Sequence, residues 1–333
     1  MCLYPKLILN KRYCPTKKNG GVVPPCPDNR LKYVTAACGQ CYECRKQKQR
    51  QWLVRMNEEL KNNPNAYFVT LTINDDNMKK LIKKCKSKEE NNIATYALRM
   101  CLERIRKTYG KSVKHWCITE LGENKDRIHI HGIVWGIGSD QKFKEKWKYG
   151  IVWVGKYVSS RTINYITKYM LKVDEKHKEF QGKVLCSKGI GANYAKSINA
   201  RNNKFKGSET NETYRLPNGA KLNLPIYYRN AIYTEEEREA LFLSKVEKGI
   251  IWICGEKCNI DDERTYMNLL KYHRSRASRL YGDNPTDWDK KKYLKRLKNQ
   301  RNIHQKAMQR VGAMRRAGAM QTAPCGMGSL FSV

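Results

Sequence analysis

Acidic residues are scarce in this chain. Its 333 residues carry 31 Asp and Glu against 66 Lys and Arg, a net charge of +35. A field of one sign that large repels itself unless a polyanion relieves it. A basic excess spread along the whole chain suits a phosphate backbone, so nucleic acid is the first partner to consider. Long apolar runs are also lacking, and so is any lipid-anchor motif, which sets aside membrane attachment. No secretory leader is visible: MCLYPKLILNKRYCP has a proline and charges where a leader would be apolar. Cytoplasmic placement is therefore expected. There the thirteen cysteines, an odd number, should be free or metal-bound rather than a disulfide framework. There is no internal repeat and no G-x-x-x-x-G-K-[ST] phosphate loop. The hydrophobic fraction, 40%, is enough for a real core.

What is present begins with cysteine. Residues 1–37 are rich in Pro, Gly, Lys and Cys and read as irregular. Cys38, Cys41 and Cys44 then form C-x2-C-x2-C, a spacing that suits thiolate ligation of a structural Zn2+, with a fourth ligand from Cys14, Cys26 or elsewhere. An iron–sulfur cluster would use similar spacing, and plain reduced thiols are the remaining alternative. The cluster runs into a helix in which Trp52, Met56 and Leu60 recur every four residues. Arg45, Lys46, Lys48, Arg50 and Arg55, with Trp52 among them, read as a phosphate-contacting face, against the alternative of a merely solvated one.

Asn63-Pro64-Asn65 breaks that helix, and AYFVTLTIND (66–75) is a strand by propensity. Residues 92–109 have helical spacing. SVKHWCITELG (112–122) and RIHIHGIVWG (127–136), joined by a polar turn, read as a β-hairpin. Residues 148–158 read as a short fourth strand, 162–172 as a helix, and 176–215 as loops. Thr234 before three glutamates is a helix start, and the basic stretch from about 260 to 318 reads as helical.

On a strand, His129 and His131 point to the same face. Glu120 lies on the partner strand of the hairpin; Glu123 is the competing carboxylate, but it falls in the turn. Two imidazoles and a carboxylate make a three-ligand site with open positions, suited to Mg2+ or Mn2+, that could polarise a phosphoryl group. Tyr165 and Tyr169, four apart on a helix, share a face and could reach one phosphate in turn; Lys168 lies a turn on from Tyr165. A phenol, with a pKa of about 10, is a weak nucleophile until a metal or a lysine favours the phenolate. The plainer alternatives are ordinary strand histidines and packing tyrosines. His115 stays unassigned. Tyr227 and Tyr228, if on a strand, face opposite ways and read as structural or DNA-stacking.

Taken together, HIH (129–131), YITKY (165–169) and FVTLTI (68–73) resemble the three motifs of HUH endonucleases. CGQCYECR, TELGENKDRIHIHG, INYITKYMLK and LPIYYRNAIYTEEER, spread over roughly 36–240, more narrowly resemble the rolling-circle replication initiators of small single-stranded DNA phages, the Microviridae, and especially the gokushovirus group. The resemblance implies a metal-dependent, site-specific DNA endonuclease and strand transferase. One tyrosine would nick the viral origin, forming a 5′-phosphotyrosine and freeing a 3′-OH that primes synthesis; the second would end the cycle. Joining by transesterification needs no ATP, which accords with the missing phosphate loop. The implied partners are single-stranded DNA, the replicative-form origin, and a helicase and polymerase of the bacterial host. A non-catalytic zinc-containing nucleic-acid-binding protein and a related plasmid or transposon nickase are the alternatives.

The expected fold is α+β: a central antiparallel sheet with flanking helices, of the HUH nickase type, over residues 63–235. A Cys-rich basic segment and helix (1–62) would precede it, and a basic, mainly helical region (236–333) would follow.

Overall fold

The computed structural model describes residues 1–122, 126–173, 176–177, 180–281, 294–299, 301–302, 309 and 312–313. Glu123 and most of the basic stretch beyond 281 lie outside the described residues. The described chain falls into two compact units, one built on residues 1–38 and 239–273, the other on 39–238 and 274–281.

The second unit holds a five-stranded antiparallel sheet. Its strands are β1 (Ala66–Thr72), β2 (Lys114–Leu121), β3 (Ile128–Trp135), β4 (Val152–Gly155) and β5 (Val184–Cys186), in the spatial order β4-β1-β3-β2-β5. The fold is the α+β arrangement expected, with β2 and β3 forming the hairpin. The helices are α1 (Tyr42–Asn62), α2 (Asp75–Cys85), α3 (Glu90–Tyr109), α4 (Asp140–Lys144) and α5 (Ser160–Lys168).

Strand alternation gives the sheet two different faces. Val69, Leu71, Ile130, Val134, Cys117 and Leu121 point to one side, where Leu81 of α2 and Ile93, Leu98, Cys101 and Ile105 of α3 close the core. Phe68, Trp116, Ile118, Ile133 and Trp135 point to the other, against Met56 of α1 and Ile163 and Ile166 of α5. These apolar residues fill only one end of that second face. Beyond them the same alternation brings Thr70, Thr72, His129, His131 and Glu120 into one patch, in the register Thr70↔His131, Thr72↔His129 and Glu120↔His129.

Three sequence expectations need correction. Residues 176–215, read as loops, contain β5, which completes the sheet beside β2. Its three residues are too few to show a periodic signal. Residues 1–37, read as irregular, contain the strand Lys6–Leu9 paired with Tyr33–Ala36; the partners lie too far apart in sequence to read as a hairpin. Tyr227 and Tyr228 sit on the helix Ile226–Ile232, not on a strand. Tyr228 is buried against Tyr194 with ring centroids 4.4 Å apart.

The first unit adds a hairpin, Ile250–Ile253 with Glu256–Asn259, in a region expected to be mainly helical. Its Arg30 is 2% exposed and is held by Asp28 at 2.7 Å and Glu247 at 3.1 Å. Among the described residues no helix is long and apolar enough to cross a membrane.

Candidate active site

The patch on the second face is built by register. His131 Nε2 lies 2.7 Å from Glu120 Oε2, and its Nδ1 lies 3.1 Å from the Thr70 hydroxyl. Both imidazole nitrogens are thus engaged, which fixes the ring. Glu120 turns its other oxygen to Lys172, whose ammonium donates to it at 2.5 Å. Burial pushes the Glu120 carboxyl up, but the hydrogen bonds from His131 and Lys172 outweigh it and hold it below the usual value. Burial, with His131 beside it, holds His129 below the usual imidazole value, so it is neutral and able to ligate at neutral pH.

The His129 ring turns toward Gly122, just past the end of β2. A Cβ on Gly122 would come within 2.4 Å of its Cε1, so a side chain there would displace the ring. A cleft of about 670 Å3 opens beside it, lined in part by Thr72, Asn74, Asn77, Arg127, His129 and Lys148. Two cations therefore sit at the rim of the patch, as an anionic ligand requires.

α5 begins at a capping box, in which the Ser159 and Thr162 side chains serve each other's backbone N–H. It ends at Lys168, earlier than the expected 172, with Tyr169 at its C-cap still in helical conformation. This places both tyrosines over the sheet. The Tyr169 ring lies parallel to His131, with centroids 4.5 Å apart and 2° between planes. Its hydroxyl is 2.7 Å from that of Tyr165, which is 53% exposed. Burial, then the hydrogen bond with Tyr165, pushes the Tyr169 phenol up. The two tyrosines are therefore unequal: one is packed on the histidine and the other opens to solvent.

Two residues carry more than the sequence reading gave them. Lys172, noted on the tyrosine side of the helix but given no role, is the lysine that reaches Glu120; Lys168 is exposed. Thr70 lies within the quoted FVTLTI motif, yet only the β1–β3 register shows that it meets His131. His115, on the opposite face from Glu120, is held by Ser187 Oγ at 2.9 Å and the Val113 carbonyl at 3.3 Å.

The donor set is suited to a divalent metal: two imidazoles and a carboxylate on neighbouring positions of one face. Among the described residues, though, His129 does not join His131 and Glu120 in a close group of ligand atoms. Glu120 would have to yield its bonds to His131 and Lys172 for all three to ligate. A different group, the thiols of Cys2, Cys38, Cys41 and Cys44, could hold a structural metal such as zinc. The Cys41 and Cys44 sulfurs are 3.5 Å apart, and the Cys38 amide donates to Cys2 Sγ at 3.2 Å. Cys14 and Cys26 instead meet the carbonyls of Asn10 and Asp28. Nothing in the local spacing marks Cys2.

The cations of α1 are not alike. Arg55 lies between the rings of Trp52 and Tyr227, 4.2 Å and 4.0 Å from their centroids, and donates to the Ile190 carbonyl. Arg45 rests over Tyr281 and donates to the Gln40 carbonyl, Lys46 lies over Tyr42, and Arg50 faces Glu43 at 3.9 Å. Lys48 is exposed, and Trp52 packs edge-on against Trp116.

Residues 66–174, which contain β1 to β4 and α5, match a family of replication-associated proteins, the ORF2 type. The chain is 22% identical over 271 residues to "Replication-associated protein ORF4" of Chlamydia phage 1. That alignment covers 70% of this chain and 63% of the relative, so the chain spans less than two thirds of the relative's length. No solved structure matches. These findings support the resemblance read from the motifs, to the replication initiators of small single-stranded DNA phages.

Proposed function

We propose that the chain acts in phage replication as a metal-dependent nickase and strand transferase of single-stranded DNA, with residues 63–235 as the nicking domain. One observation carries the reading: a pair of tyrosine hydroxyls 2.7 Å apart stands over a histidine that is itself 2.7 Å from a carboxylate. In this reading a tyrosine oxygen forms a bond to the scissile phosphorus and the P–O3′ bond breaks. The phenol proton leaves, and the departing 3′ oxygen takes one up. His129, His131 and Glu120 would hold the Mg2+ or Mn2+, which supplies Lewis-acid polarisation of the phosphate. Tyr165, the more open phenol, is placed to attack first. Tyr169, packed on His131, follows once its hydrogen bond with Tyr165 is gone. Arg127 and Lys148 at the cleft rim would steady the DNA backbone. Lys48 and its neighbours on α1 would extend the basic surface. Helicase and polymerase functions fall to the host in this scheme.

Substitution of the histidines tests the reading against a binding protein without chemistry. His129→Ala and His131→Ala are expected to lower metal-dependent cleavage of origin DNA at least ~100-fold while changing DNA affinity less than about threefold. Equal loss of binding and cleavage, or cleavage untouched, would contradict it.

A further inference from the structure

Beside the tyrosine pair, the edge strand β4 leaves large apolar groups open. Ile151 is 75% exposed, Trp153 57% and Tyr157 92%. Trp153 pairs with Thr70, and Thr70 with His131, so its side chain belongs to the same face as the proposed site. The ring is held in place rather than loose. It meets Phe68 edge-on at 5.7 Å, and a Cβ on Gly155 would come within 2.9 Å of its Cη2. Phe68 in turn lies 6.4 Å from the Tyr165 ring and 6.4 Å from His131. A fixed, half-open indole thus stands two ring-to-ring steps from the tyrosine pair. The surrounding segment, KYGIVWVGKYVSSR (148–161), contains Lys148, Lys156 and Arg161 and no acidic residue.

An exposed indole costs hydration free energy, and a soluble face needs no such group. Aromatic platforms interleaved with cations are what single-stranded nucleic acid uses: bases stack on the rings and phosphates meet the cations. We infer that Trp153 is a base-stacking platform that seats an unpaired nucleotide next to the scissile phosphate, with Lys156 and Arg161 meeting the flanking backbone. The inference rests on the nickase reading for what lies next door. The charge of the segment favours a polyanion over a second copy of this equally basic chain.

The test measures affinity and chemistry separately on the full chain. Fluorescence anisotropy with a short labelled single-stranded oligonucleotide should show Trp153→Ala binding about tenfold more weakly than wild type. Trp153→Phe should recover most of that loss, because a smaller ring still stacks. Trp252→Ala, which removes another half-exposed indole (54%), should bind as wild type does. In the wild type, an abasic site scanned along the oligonucleotide should reproduce the loss at one position, and Trp153→Ala should erase that position's effect. Unchanged affinity in Trp153→Ala, or an abasic scan that it leaves unaltered, would overturn the platform. So would a wild-type dimer that dissociates in Trp153→Ala with DNA affinity intact, because the patch would then serve a second copy. Covalent adduct yield, read at saturating oligonucleotide, should be near wild type in Trp153→Ala. Absence of adduct in the wild type itself would sink the nickase reading and not the stacking result.

Discussion

His115 and Glu120 stand on the same strand five residues apart, and alternation sends them to opposite faces. Glu120 joins the polar patch, while His115 is enclosed with Ser187. Burial holds the His115 imidazole below its ordinary value of 6.5. The folded state therefore resists protonation that the unfolded chain accepts. The sign follows: the unfolded state binds more protons as pH falls through about 6.5, so this residue's contribution to stability is present above that pH and lost below it. Denaturant melts should show the stability advantage of wild type over His115→Gln shrinking from pH 7.5 to pH 5.5. An advantage that grows on acidification would mean that the buried imidazole is charged. Tyr165 and Tyr169 make the same point about environment: the sequence shows two equivalent phenols, and packing on His131 makes them different.

At the scale of elements, α1 departs furthest from an ordinary amphipathic helix. Its Glu58 and Glu59 are 3% and 2% exposed. Glu58 accepts from Lys61 and the Tyr214 hydroxyl, and Glu59 from Lys114 and the Gly191 amide. Gly191 sits at φ +70° under the helix, where a Cβ would fall 2.5 Å from the Arg55 carbonyl oxygen and 2.6 Å from the Tyr228 hydroxyl. Gly191→Ala should therefore destabilise the protein by about 2 kcal/mol or more in equilibrium unfolding. A change below about 0.5 kcal/mol would show that the loop gives way freely. The apolar stripe of α1, the β2–β3 hairpin, α3 and the Thr234 helix start were legible because each is a local periodic or capping signal. Thr234 does cap its helix, with Glu237 returning the hydrogen bond. β5, the pairing of Lys6–Leu9 with Tyr33–Ala36, and the anchoring of Glu59 depend on partners distant in the chain, and no window of sequence displays them. The proposed site was readable in its residue types and not in its contacts. HIH and YITKY give the reacting groups, but Thr70 and Lys172 become partners only through strand register and the turn after α5.

For the whole molecule, a charge of +35 supplies affinity for any polyanion, and so binding alone says little about function. The distinguishing claim is covalent chemistry at one pair of tyrosines. The most direct measurement mixes the protein with single-stranded origin DNA labelled on the 3′ side of the nick, with Mn2+ or Mg2+, and follows label that stays on the protein through denaturing electrophoresis. The account predicts a metal-dependent adduct in wild type, reduced adduct in Tyr165→Phe and Tyr169→Phe, and none when both are replaced. Tight binding with no adduct in any metal, or an adduct that survives loss of both tyrosines, would contradict it.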